Sequence, residues 1–262
     1  MIIILAFIAF AVAAYLFIHF IVKRDRGSKE PRGALFGAIG FGVLAVIAAG
    51  ELNNLFIPPE VINQIGSEEA GGISTQTLLF SALGVGLIEE SVKCLPLAFF
   101  IYKKRYFNEL TDGVIYFGLV GLTFGIIEDI FYTLEYGGGV GLMRILFSPY
   151  LHAGFAVIFG MYLIQRKVLR KPWLVAVLGF IGAVLAHGIF DFAAFTGGPL
   201  SLIVLFTMAI TINVMLFVFF RKAQKIDESR GMSAIGTNKF CRDCGRPNPE
   251  RHLYCQYCGK LS

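Results

Sequence analysis

The chain has 262 residues, of which 56% are hydrophobic and only 16% are charged, and its mean hydropathy is +0.70. This composition excludes a soluble domain with a polar shell and indicates a polytopic membrane protein. The formal net charge is +5, but lysine and arginine stand in short clusters between apolar segments, where they set membrane topology. Nucleic acid is therefore not an expected partner; the lipid bilayer is.

Seven apolar runs of about 20 residues are candidates for membrane-spanning helices. In chain order they cover residues 2–22, 33–49, 75–102, 112–135, 145–165, 172–195 and 200–220. The predicted fold class is an all-α polytopic membrane protein with about seven transmembrane helices, followed by a small C-terminal module.

Basic residues alternate between successive links. Clusters such as Lys23-Arg24 and Arg221-Lys222 follow spans one, three, five and seven, whereas the links after spans two, four and six contain a single basic residue, Arg144. By the positive-inside rule, this pattern predicts a multi-pass protein of the cell membrane with its N-terminus outside and its C-terminus in the cytoplasm.

Eight strongly polar side chains interrupt the predicted spans. They are Glu89, Glu90 and Lys93 on span three, Glu128 and Asp129 on span four, His152 on span five, and His187 and Asp191 on span six. A charged side chain at bilayer depth costs roughly 2.5–3.5 kcal/mol even on the lenient insertion scale, so such residues usually mark function. Residues four apart share a helix face. Because His152, Glu128 and His187 each lie within about two turns of the outer end of their span, we expect these groups to converge in the outer half of the membrane.

Adjacent buried carboxylates suit peptide hydrolysis. The reaction needs a base to activate water, an acid for the leaving amine and donors for the oxyanion. Glu89 and Glu90 can supply the first two, with Lys93 offsetting one charge. Neighbouring helical residues point about 100° apart, so the sequence leaves open which glutamate faces the water.

The order of these motifs resembles that of the PrsW-type intramembrane proteases, which belong with the CAAX-protease and bacteriocin-processing group. The matching motifs are Glu89-Glu90-x-x-Lys93, Phe124-x-x-x-Glu128, His152 and His187-x-x-x-Asp191, within residues 79–195. The resemblance implies an intramembrane endopeptidase with catalytic Glu89, Glu90, Glu128, His152 and His187. It implies supporting roles for Lys93, Phe124, Asp129 and Asp191. Asp129 and Asp191 stand where the family often has asparagine, and both keep a hydrogen-bonding side chain of similar size.

Two mechanisms stay open under this resemblance. In the metal-free glutamate mechanism, which we favour slightly, the histidines donate hydrogen bonds to the oxyanion. In the other, His152, His187 and Glu128 bind a metal, since two histidines and one carboxylate are an acceptable catalytic zinc set.

The resemblance implies that the substrates are other membrane proteins, including single-span ones. One role known in the family is the first, site-1 cut of a membrane-bound anti-sigma factor. The alternatives are a proton-coupled transporter or channel, or a catalytically silent scaffold, using the same buried residues. Carriers are often built from internal repeats, and the sequence shows no such duplication.

Four cysteines close to the C-terminus form two Cys-x-x-Cys pairs separated by ten residues. Cys241, Cys244, Cys255 and Cys258 predict a four-thiolate structural zinc site that resembles a short zinc ribbon. A segment this short has no core, so metal binding would supply its folding free energy. The predicted domains are a protease domain at 1–222, a linker at 223–239 and a cytoplasmic zinc ribbon at 240–262 that binds a protein partner.

Overall fold

The computed structural model describes residues 2–25, 29–64, 73–145, 147–230, 244 and 254–260. Within these residues the chain forms nine α-helices. They are α1 (Ile2–Arg24), α2 (Arg32–Phe56), α3 (Pro59–Gln64), α4 (Thr75–Ile101), α5 (Leu110–Tyr136), α6 (Gly138–Arg144), α7 (Ser148–Val168), α8 (Trp173–Thr196) and α9 (Gly198–Ser229).

Five of these helices are long and apolar enough to cross a membrane, namely α1, α2, α5, α8 and α9. The pair α6 and α7, bent by 41° at its junction, makes a sixth if it forms one span. Helix α4 has 27 residues, about 40 Å of helix, but carries the charged side chains of the third predicted span. The all-α polytopic architecture is confirmed, and the membership of α4 among the spans stays a prediction.

Helix α9 extends further than the sequence suggested. It continues through Ser229, so residues 223–229, which we expected to belong to the linker, are helical. The first helix-breaking residue after the span is Gly231, which explains the continuation. The Asp227 carboxylate also accepts hydrogen bonds from the backbone N–H groups of Leu110 (2.8 Å) and Thr111 (2.9 Å), so the end of α9 caps the beginning of α5.

The membrane core is built on close helix pairs, of which α5 with α7 and α4 with α8 are the most extensive. A Cβ atom at Gly121 of α5 would collide with the carbonyl oxygen of His152 on α7. A Cβ at Gly86 of α4 would lie 2.9 Å from the backbone nitrogen of Gly188 on α8. Because helix association in lipid depends on close packing, small residues at these positions bring the four polar helices together.

Candidate active site

Helix α4 places three ionisable side chains of one helical turn in the protein interior. Lys93 and Glu90 are fully buried and Glu89 is 4% exposed. The Lys93 Nζ atom lies 2.7 Å from Glu90 Oε1 and 3.6 Å from Glu89 Oε2. One ammonium therefore contacts both carboxylates, and its strong pairing with Glu90 leaves Glu89 the less tightly held of the two.

Helix α7 supplies His152, whose two ring nitrogens both have polar neighbours. His152 Nδ1 lies 3.1 Å from Lys93 Nζ, and Nε2 lies 2.9 Å from Glu128 Oε2 on α5. A lysine ammonium can only donate, so Nδ1 accepts and Nε2 donates to Glu128. The three helices α4, α5 and α7 are thereby joined through one imidazole.

Helix α8 supplies His187, which faces α4. Its Nδ1 lies 2.9 Å from Glu90 Oε1, and its ring stacks on Phe155 with centroids 4.9 Å apart. Its Nε2 is 3.5 Å from both Glu89 Oε2 and Asp191 Oδ2. Glu90 and Phe155 fix the plane of the ring, so that Nε2 is directed at Glu89 and Asp191.

Arg144, at the end of α6, joins the two carboxylates of α5. Its Nε lies 2.6 Å from Asp129 Oδ1 and its Nη2 lies 3.0 Å from Glu128 Oε2. Ser148 donates to Asp129 Oδ1 at 2.8 Å. Within the described residues, the hydrogen bonds of the Asp129 side chain thus go to Arg144 and Ser148 and not to a histidine.

Sequence reasoning missed two polar neighbours of the site. Arg144 is the one basic residue in the links after spans two, four and six, and this exception was a usable signal. Asn53 of α2 donates from Nδ2 to Glu89 Oε1 at 3.3 Å, and the sequence carried no signal for it. Phe124, for which we predicted a supporting role, lies among these polar residues. Its ring centroid is 4.2 Å from Lys93 Nζ and 5.2 Å from the centroid of the His152 ring.

Known proteins with similar sequences share this motif region. The model of the PrsW family, described as intramembrane metalloproteases, matches residues 30–220. The chain belongs to the PrsW family. It is 30% identical over 169 residues to Protease PrsW of Geobacillus kaustophilus, covering 64% of this chain and 70% of that protein. It is 32% identical over 186 residues to Protease PrsW of Halalkalibacterium halodurans, covering 70% of this chain and 80% of that protein.

Protease PrsW of Bacillus subtilis is 33% identical over 129 residues, covering 48% of this chain and 57% of that protein. No solved structure matches the chain. The enzyme class predicted from the sequence, an intramembrane protease, is confirmed by the family. The family's metalloprotease description favours the metal-dependent alternative over the metal-free mechanism that we had preferred.

The polar cluster of this PrsW-family chain offers a set of ligand atoms that a metal ion could bind. Glu89, His152 and His187 each offer a ligand atom within 4.8 Å of the others, with Glu89 in the place we expected for Glu128. Glu89 Oε2 and Asp191 Oδ2 are buried, have no hydrogen-bond partner within the described residues, and lie beside His187 Nε2. The lone pairs of these carboxylate oxygens and of His187 Nε2 converge and fit a cation. His152 would join them as a ligand by giving up its hydrogen bond to either Lys93 or Glu128.

The C-terminal cysteines lie outside the family match. Cys244, Cys255 and Cys258 form a second group whose sulfur atoms lie within 4.8 Å of one another, while Cys241 lies outside the described residues. The backbone N–H of Tyr257 points at Cys255 Sγ at 3.4 Å, as in a metal-binding knuckle. Three clustered thiols can bind a metal, which agrees with the small C-terminal module predicted from the sequence.

Proposed function

We propose that this chain hydrolyses peptide bonds of membrane-protein substrates at the cluster formed by Glu89, Glu90, Glu128, His152 and His187. The observation that carries the proposal is the convergence of Glu89, His152 and His187, from three helices, on one buried point. A structural ion pair would not require two histidines with a carboxylate oxygen left without a hydrogen bond.

The two glutamates take different roles in this proposal. Glu89 Oε2 lies beside His187 and has no hydrogen bond within the described residues, so Glu89 is the group that receives a proton from water and passes it to the leaving amine. Glu90 is engaged by Lys93, His187 and the Cys94 thiol, so it holds its neighbours in place. In the metal-dependent alternative, Glu89 would instead be a ligand together with His152 and His187, and the metal would supply Lewis acidity at the scissile carbonyl.

The remaining polar residues position the histidines. Glu128 fixes the Nε2 side of His152, and Arg144 holds Glu128 in turn. Lys93, buried beneath the Phe124 ring, balances the charge of the glutamate pair. Asp191 stands one helical turn from His187 and shares its Nε2 atom with Glu89.

The same proposal covers orientation and partners. Alternating basic links support a site in the outer half of the cell membrane, with the N-terminus outside and the C-terminus in the cytoplasm. The substrates are membrane proteins, with single-span proteins the simplest case, and the resemblance supports a regulatory site-1 cut such as that of an anti-sigma factor. Cys241, Cys244, Cys255 and Cys258 bind structural zinc in a cytoplasmic module that recruits a protein partner.

The test compares the N-terminal fragments of all membrane proteins in cells that carry the wild type or Glu89→Gln at equal levels. The control is Glu135→Gln, which removes an exposed carboxylate at the end of α5. Fragments that vanish with Glu89→Gln but persist in the control support the protease and name its substrates. An unchanged fragment set across several stresses would favour the transporter or the silent scaffold instead.

A further inference from the structure

A cavity of about 210 Å³ lies between the bend of α6 and α7 and the helices α8 and α9. Its polar floor is made by Arg144 and Ser148, and its walls include Phe147, Phe190, Leu205 and Ala209. None of these wall residues entered the sequence-based site.

The cavity adjoins the polar cluster through two shared residues, Arg144 and Ser148. Arg144 donates to Glu128, and Ser148 donates to Asp129, so the floor of the cavity is also the outer edge of the site. Phe190 stands next to Asp191 on α8 and its ring is 6.3 Å from that of Phe155, which stacks on His187. A group bound in the cavity would therefore be separated from His187 by the rings of Phe190 and Phe155.

The mouth of the cavity faces lipid. Leu202 and Phe206, on its α9 rim, are 54% and 49% exposed on the outside of the bundle. A membrane segment arriving from the bilayer would meet this opening without first crossing water, since exposed apolar side chains of a spanning helix face the lipid.

We propose that this cavity is the specificity pocket of the enzyme, which takes one large apolar side chain of the substrate's membrane segment next to the bond that is cut. An apolar cavity of about 150 Å³ is enough to bind benzene, so this one holds a leucine, methionine or phenylalanine side chain. Within the described residues the hydrogen bonds of Arg144 use Nε and Nη2, so Nη1 can donate to the backbone carbonyl beside that side chain. This inference rests on the proposed function.

Two substitutions change the size of the pocket in opposite directions. Ala209→Leu fills it, and Leu205→Ala enlarges it, while Ile210→Ala alters a lipid-facing residue of the same helix and is the control. One methylene in an apolar pocket changes selectivity by roughly 10-fold or more. The readout is the residue at each position around the cut bond, in all membrane-protein fragments that depend on Glu89.

In the wild type, one position near the cut bond should carry a large apolar residue. With Ala209→Leu, the ratio of small to large residues there should rise roughly 10-fold, and with Leu205→Ala it should shift toward aromatic residues. The pocket is refuted if Leu205→Ala and the control Ile210→Ala both keep the wild-type preference for residues near the cut bond. The Leu205→Ala result suffices for this test even if Ala209→Leu does not fold. Fragments that persist in Glu89→Gln would instead refute the proposed function, and the pocket with it.

Discussion

His187 Nδ1 lies 2.9 Å from Glu90 Oε1, so one of the two adjacent glutamates holds a histidine while the other faces it. A carboxylate that is hydrogen-bonded to an imidazole orients its ring, and such contacts typically contribute roughly 10–100-fold to activity. The two glutamates are therefore distinguishable by experiment, although they are neighbours in the chain.

Glu89→Gln should lower the rate of peptide cleavage at least roughly 100-fold, because it removes the proton acceptor. Glu90→Gln should cost roughly 10–100-fold, because glutamine can still accept from His187 but no longer balances Lys93. The measurement is cleavage of an identified substrate by purified enzyme. Equal effects, or a larger loss for Glu90→Gln, would contradict the assignment.

Arg144→Met should destabilise the protein by roughly 3 kcal/mol, because it leaves Glu128 and Asp129 without their cation. This is the low end of the range for a broken buried pair, since the Arg144 side chain is 28% exposed. Arg144→Lys keeps the charge but loses the fork geometry, so it should fall between wild type and Arg144→Met. Thermal unfolding in detergent checks the order, and a Lys variant no better than Met would argue against the ion pairs.

Gly121→Ala should lower activity roughly 100-fold or prevent folding, because the new Cβ collides with the carbonyl of His152 and displaces its ring. The matched control is Gly50→Ala on α2, whose Cβ meets no atom within 4 Å and which gains helix propensity. Folded yield and cleavage are measured for both. Tolerance of both substitutions would contradict the close approach of α5 and α7.

Glu30, in the link between α1 and α2, should make stability depend on pH. Burial raises the pKa of its carboxyl to about 8, and Asp25, Glu109, Asp112 and Tyr116 are the groups that face it. A raised folded-state pKa means that the folded chain holds the proton more tightly, so the free energy of unfolding falls as the pH rises from 4.5 to about 8.

Glu30→Gln should remove this fall, because the amide stays neutral and can still accept from the Tyr116 hydroxyl. The free energy of unfolding in detergent is measured for wild type and Glu30→Gln at about pH 5 and at about pH 8.5. The second value lies just above the pH range over which the stability of the wild type falls. The exposed Glu60→Gln is the control. The prediction fails if Glu30→Gln is no more stable than wild type at the higher pH.

If the proposed zinc site forms, Cys255→Ser should lower the zinc content of the protein and expose residues 254–260 to hydrogen exchange, because a metal bound there would supply the folding free energy of so short a segment. Cys94→Ser is the control, since that thiol lies in α4 beside Glu90. Zinc content per chain is measured by mass spectrometry. Unchanged content with Cys255→Ser would show that the thiols do not hold zinc.

Much of the fold follows from local sequence. An apolar run in lipid forms a helix, because its backbone groups must be satisfied within their own segment. The seven long helices follow the predicted runs, whereas the short helices α3 and α6 were not predicted. The end of α9 was misplaced because charged residues 223–229 look like a linker but are compatible with a helix, which Asp227 then anchors on α5. Polar composition alone does not distinguish these outcomes.

The sequence by itself determined the membrane class, the long helices and most polar residues of the candidate site, because charge in an apolar run is visible without coordinates. Only the tertiary structure decided which of these residues meet. It separated Glu89 from Glu90, tied Asp129 to Arg144 and added Asn53, since contacts between helices depend on rotation and close approach at glycines. The cavity beside Arg144 arises in the same way, as a space between helices that no single segment encodes.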